Sequence, residues 1–183
     1  MLMSKLTQKI EHLVTTHPLL FSVFSKCYIS IIKSELKLAH VTSEDHILFI
    51  GGGPCPCSAI LMHQLSGAKI TVIDQNIDCI QLANRLIHHL GIPEDRFRIL
   101  HHQGETIDAS PYSLIHMALQ IYPKDKVLEQ IKNTKSPESR VLVRQPKEKM
   151  RHFYDQHEAF CPKYKTIQHR NVTNISETAL YQF

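Results

Sequence analysis

Apolar positions change period repeatedly along this chain, for the first time after residue 38. Between residues 4 and 38 they recur every three or four positions. Leu6, Ile10, Leu13 and Val14 share one face, and a wider stripe of Leu20, Phe21, Phe24, Tyr28, Ile31, Ile32 and Leu36 follows Pro18. This spacing predicts two helices with one buried face each, the second opening at Pro18, whose missing N–H costs nothing in a first turn. Beyond the polar loop Thr42–Asp45, short apolar runs at 46–50, 69–74, 97–101, 112–118 and 140–144 predict strands. They alternate with helical stretches at 57–66, 76–90 and 124–133, the second of which stops at Gly91 with Pro93 just beyond. A polar helical segment is predicted from about 147 to 158, then strands at 164–172 and 177–183 joined by the hairpin-like link 173–176. Alternation of this kind predicts an α/β fold: a Rossmann-like, doubly wound, seven-stranded and mostly parallel sheet. The terminal strand pair implies one antiparallel edge strand. With no repeat or linker, residues 1–183 form a single domain, 1–45 as an N-terminal helical cap and 46–183 as the core.

Composition narrows the partners. The 183 residues are 43% hydrophobic and 21% charged, and the net charge of +4 comes from scattered Lys and Arg, with no cluster to follow a nucleic-acid backbone. The apolar stretch from Pro18 to Ile32 is broken by Ser22, Ser25, Lys26 and Ser30, too short and polar for a bilayer span. The start does not lead into an apolar h-region with a small-residue cleavage site, so no secretory leader is expected. With the scattered charge, neither nucleic acid nor membrane is expected as a partner. The five cysteines (27, 55, 57, 79, 161) are odd in number and follow no disulfide framework. Reduced thiols and a cytoplasmic location are expected.

The first strand runs into Gly51-Gly52-Gly53-Pro54-Cys55-Pro56-Cys57-Ser58, and the second ends in Asp74. Glycine lets a backbone pass close to a ligand and turn with positive φ. A carboxylate at the end of the next strand is placed to accept hydrogen bonds from ribose hydroxyls. The pair predicts a site for an adenosine-containing ligand. Pro56 stands where a dinucleotide fingerprint needs its third glycine, which argues against NAD or FAD, and no Gly-Lys-Ser/Thr follows for a phosphate loop. Cys55-Pro-Cys57 shapes the loop. The adjacent pairs His88-His89 and His101-His102, and His152 with His157, do not converge on a helix or strand face, so no metal site is expected.

The ordered set resembles the class I methyltransferases, which bind S-adenosylmethionine: seven strands with a terminal hairpin, Gly-x-Gly after the first, an acid ending the second, and Gly104-Glu105-Thr106 after the third. The resemblance implies that Gly51, Gly52, Gly53 and Pro54 pass beneath the methionine part of the ligand and that Asp74 holds the ribose. Gln75 and Ile77 would line the adenine, Gly104 and Glu105 would meet its amino group, and Met117 and Ala118 would lie where the fourth strand passes. The loop from Gly51 to Ile60 further resembles that of nicotianamine synthase, as does the helix carrying Tyr28, Lys33, Ser34 and Glu35. Those enzymes transfer the aminocarboxypropyl arm of the same cofactor, and the resemblance makes Glu35 the carboxylate for an incoming amine. That family has a longer N-terminal helical domain than the 45 residues here. Near the fourth strand Tyr122 and His116 are the nearest polar side chains. Tyr122 joins Glu35 as a catalytic candidate, and His116 is expected to be packed and satisfied. A transferase is therefore expected, by default a methyltransferase acting on a small-molecule acceptor, with a homodimer as its expected assembly if there is one. An aminocarboxypropyl transferase is the alternative, and a non-catalytic module that kept the fold is the third reading.

Overall fold

A computed structural model of the chain describes residues 18–154, 165–169 and 173–181. The helix predicted before Pro18 and the residues at 155–164 lie outside them. Helix α1 is Pro18–Leu38, and β1 (His46–Ile50) leads into α2 (Cys57–Ser66). Then come β2 (Lys69–Asp74), α3 (Ile77–His89), β3 (Phe97–His101), β4 (Leu114–Met117), α4 (Lys124–Thr134) and β5 (Arg140–Pro146). Short 3₁₀ turns occupy Gly104–Thr106 and Glu148–Phe153, the latter over the described part of the predicted helical segment. The chain closes with β6 (Lys165–Gln168) and β7 (Ile175–Tyr181).

The seven strands form one sheet in the order β3-β2-β1-β4-β5-β7-β6, parallel from β3 to β5. The predicted antiparallel C-terminal strand is present as β7, and only its expected place at the edge is corrected. β7 is antiparallel, but it lies inside the sheet, paired with β5 on one side and β6 on the other, which leaves β6 at the edge. Burial gives the reason: β7 buries five of its seven residues, whereas β6 buries none of its four. The hairpin turns its apolar strand inward because each fully buried aliphatic side chain is worth about 1.5–3 kcal/mol.

Strand alternation divides the core. Ile47, Phe49, Ile70, Val72, Leu114, Leu142 and Leu180 face a layer containing Ile32 of α1, Ala59, Ile60 and Met62 of α2, and Leu86 and Ile87 of α3. Leu48, Ile50, Ile73, Ile115, Met117, Val141, Val143 and Ala179 face Val127, Leu128 and Ile131 of α4. The amino ends of the central strands are tied together below. Asp45 accepts hydrogen bonds from Thr42 N (2.8 Å) and Ser113 Oγ (2.6 Å) and pairs with Arg140. That knot leaves the carboxyl ends of the strands, where doubly wound sheets bind ligands, to the loops. Among the described residues, no helix is long and apolar enough to cross a membrane.

Candidate functional site

The turn after β1 is built to lie flat against β2. Gly51 and Gly53 have φ of +83° and +62°, in the region that glycine alone enters without strain. Gly51 N and Gly52 N both donate to Ile73 O, at 2.9 and 3.3 Å. The approach is close enough that a Cβ on Gly52 would sit 2.2 Å from Val72 Cγ1. Asp74 then fastens the turn from below. Its Oδ2 accepts from Gly53 N at 2.8 Å and its Oδ1 from Asn76 N at 2.9 Å, while Asn76 caps α3 by accepting from Asp78 N. Each Asp74 oxygen keeps a lone pair for a ligand hydroxyl.

Above this turn the strand ends enclose a cavity of about 330 Å³, within the size of small-molecule sites, about 300–1,000 Å³. Gly51, Gly52, Gly53, Pro54, Asp74 and Gln75 line it, as do Gly104, Glu105, Ala118 and Tyr122. Tyr122 is 75% exposed at its mouth. Met117 does not line it, because strand alternation turns its side chain into the α4-facing core, fully buried. Nor does Ile77, which opens α3 and points to solvent at 48% exposure. Cys55 and Cys57 form part of the wall, their sulfurs 3.2 Å apart as free thiols.

Glu35 departs most from its expected place. It lies one layer behind the cavity wall, fully buried, with two donors on each oxygen. Oε1 accepts from Arg144 Nε (2.8 Å) and Thr178 Oγ1 (2.7 Å), and Oε2 from Arg144 Nη2 (2.9 Å) and His116 Nε2 (3.2 Å). Burial alone would raise its pKa, but the Arg144 charge and the hydrogen bonds from His116 and Arg144 outweigh it and hold the carboxyl ionised, far below the ordinary range. A saturated carboxylate out of reach of the cavity cannot receive an incoming amine. Glu35 positions the two side chains that do reach the cavity, His116 and Arg144.

His116 stacks on Phe49 with ring centroids 4.3 Å apart. Burial pushes its pKa down and Glu35 only partly opposes this, so the ring is neutral. An ionised carboxylate only accepts, so Nε2 carries the hydrogen and Nδ1 is a bare acceptor. The expectation of a satisfied histidine holds for one nitrogen only, since Nδ1 has no hydrogen-bond partner among the described residues. The Thr178 hydrogen is committed to Glu35, so His169 Nε2 donates to Thr178 Oγ1 at 2.8 Å. Arg144 Nη1 donates to Ser58 Oγ at 2.8 Å. Tyr28 and Tyr154 complete this end of the cavity, packed on Leu119 and Ile175. Sequence reasoning missed Arg144 and Tyr154, and it named Tyr28 and Ser58 only as parts of resembling segments, with no role in the site. The one available signal was a charged residue closing the apolar run Val141-Leu-Val143.

No protein-family model and no curated protein sequence matches the chain. Solved structures do. The strand order and the antiparallel β7 are those of the class I S-adenosylmethionine-dependent methyltransferase fold. Within that fold the chain is similar to a glutamate-to-glutamine variant of MtNAS, a nicotianamine synthase. The TM-score is 0.86 at 19% identity, over 97% of this chain and 71% of that one. The same variant in complex with S-adenosylmethionine superposes with a TM-score of 0.82 at 19% identity, over 97% and 72% of the two chains. An RNA methyltransferase from Salinibacter ruber in complex with S-adenosyl-L-homocysteine gives 0.65 at 15% identity, over 83% and 89%.

Proposed function

We propose that this chain is an S-adenosylmethionine-dependent transferase acting on a small-molecule acceptor, with methyl transfer as the primary reaction. The observation that carries the reading is the glycine turn fastened to Asp74 at the foot of the cavity. It offers a backbone surface with no side chain in the way and a partly exposed carboxylate for two ribose hydroxyls. The solved complexes of this fold with S-adenosylmethionine and S-adenosyl-L-homocysteine support the choice of ligand. Glu105, in the 3₁₀ turn after β3, lines the same cavity, which supports its reading as a partner for a polar edge of the base. When bound, the cofactor supplies an already activated sulfonium carbon. The protein's own part is then to position the acceptor and exclude water. Phe49, Leu119, Ile121 and Ile175 supply apolar wall for that purpose.

A second reading, aminocarboxypropyl transfer, is favoured by one observation. The likeness to MtNAS spans 97% of the chain, and that span includes α1, which contributes Tyr28 to the cavity. Calorimetry with S-adenosylmethionine, followed by product analysis, tests both readings. Micromolar binding, lost at least tenfold in Asp74→Ala, is expected. S-adenosylhomocysteine as the product identifies methyl transfer, and methylthioadenosine identifies transfer of the arm. No binding at millimolar ligand, with Asp74→Ala indistinguishable from the parent chain, would leave a non-catalytic module.

A further inference from the structure

The two ends of the cavity differ in charge. Among the described residues lining it, the acids are Asp74 and Glu105, both at the β2–β3 end. The charged side chain at the β5 end is Arg144, three strand spacings from β2, about 14 Å away. Arg144 is 5% exposed, and Glu35 lies behind it, so the ion pair forms a dipole with its positive end towards the cavity. Among the described residues, three of its five N–H groups find acceptors, two on Glu35 and one on Ser58. Ser58 accepts that bond with its oxygen, so its own hydrogen remains available to a ligand. It sits in the first turn of the ten-residue helix α2, which has no acid in that turn and no side-chain cap. His116 lines the same wall, and its buried Nδ1 is an acceptor without a partner among the described residues. A guanidinium with spare N–H groups, a hydroxyl fixed as a donor and an unfilled acceptor together lack one thing, a ligand with a carboxylate and a neighbouring N–H or O–H.

We propose that Arg144 and Ser58 form a carboxylate-binding subsite at the β5 end of the cavity, with His116 Nδ1 accepting from a donor beside the carboxylate. The proposal rests on the transferase reading above. The carboxylate belongs either to the acceptor or to the amino-acid arm of the adenosyl ligand. Tyr28, Phe49 and Tyr154 beside it suit an acceptor with an apolar or aromatic body.

Mandelate, an aromatic carboxylate with an adjacent hydroxyl, is the probe, and 2-phenylethylamine is the cationic control. Both are titrated by calorimetry into the unliganded chain and into its complexes with methylthioadenosine, which lacks the arm, and S-adenosylhomocysteine, which carries it. Mandelate is expected to bind the methylthioadenosine complex, at least tenfold more weakly in Ser58→Ala, whose melting temperature is checked alongside. The amine is expected not to bind. Mandelate binding to both complexes assigns the carboxylate to the acceptor. Binding only where the arm is absent assigns it to the arm. Failure of methylthioadenosine to bind defeats the transferase reading, while mandelate on the unliganded chain still reads out the subsite. Absence of mandelate binding, equal binding of the amine, or no effect of Ser58→Ala overturns the subsite. Arg144→Lys, which keeps the charge facing Glu35 and loses the planar fork, is the second variant and is expected to weaken mandelate comparably.

Discussion

Replacing Glu35 by Gln tests the buried network directly. The substitution is nearly isosteric, so little of its effect comes from volume. It removes the charge that compensates a guanidinium only 5% exposed. It also turns one of two doubly accepting oxygens into an NH₂ group facing donors on Arg144 and His116. Breaking a buried ion pair from one side costs about 3–5 kcal/mol. A domain of this size holds about 5–15 kcal/mol in all. At about 2–4 °C per kcal/mol, the loss lowers Tm by about 6–20 °C. The pH dependence follows from the lowered pKa. The unfolded carboxyl titrates near 4.5, and the folded one only well below that. The contribution of the pair is therefore complete above that pH and is lost progressively as the pH falls towards the folded value. Thermal unfolding of parent and Glu35→Gln from pH 7 to pH 3 should show two curves far apart at pH 7 and converging below about pH 4.5. A variant within about 1 kcal/mol of the parent at pH 7, or a gap that does not narrow in acid, would refute the assignment of Glu35 as the ionised anchor.

Two further outcomes are expected. Gly52→Ala should destabilise by about 1–3 kcal/mol through overpacking, because its Cβ meets Val72 Cγ1 at 2.2 Å. The double variant with Val72→Ala should be less destabilised than the sum of the single changes, and strict additivity in urea unfolding would show that the contact is not the cause. Nitrogen-resolved NMR of His116 should show the Nε2–H tautomer with no titration between pH 7 and 8. A charged ring at pH 7, or the opposite tautomer, would overturn the hydrogen-bond assignment around Glu35.

Much of the architecture was written locally. Periods of two and of three to four mark β1 to β5 and their helices within a few residues, and the glycine turn with Asp74 announces itself because both partners adjoin strand ends. What depends on pairing was less visible. Both strands of the last hairpin read as strands, yet which of them enters the sheet depends on the burial each gains against β5. The far end of the cavity was opaque for a similar reason. Glu35 meets its partners across 81, 109 and 143 residues of chain, and no spacing rule connects positions so distant. A polar residue within the α1 stripe was visible. That it faces an arginine at the end of β5, and not the ligand, is a property of the assembled sheet. Met117 and His116 show the same limit on a smaller scale: neighbours in sequence, they face opposite layers, and alternation alone does not say which layer holds the cavity.

The interior place of β7 gives the site an order of assembly. Glu35 lies in the first described helix, yet Thr178, one of its four donors, stands on the last strand of the sheet, with His169 hydrogen-bonded behind it. Until that strand closes against β5, the carboxylate has lost a donor and part of its cover, and water can reach the pair it makes with Arg144. The wall of the cavity is thus completed by the end of the chain closing over its beginning. Contacts this far apart in sequence are among the slowest to form. During folding, the glycine turn and Asp74, 21 residues apart, can be in place while the end of the cavity that holds Arg144 is still wet and unformed.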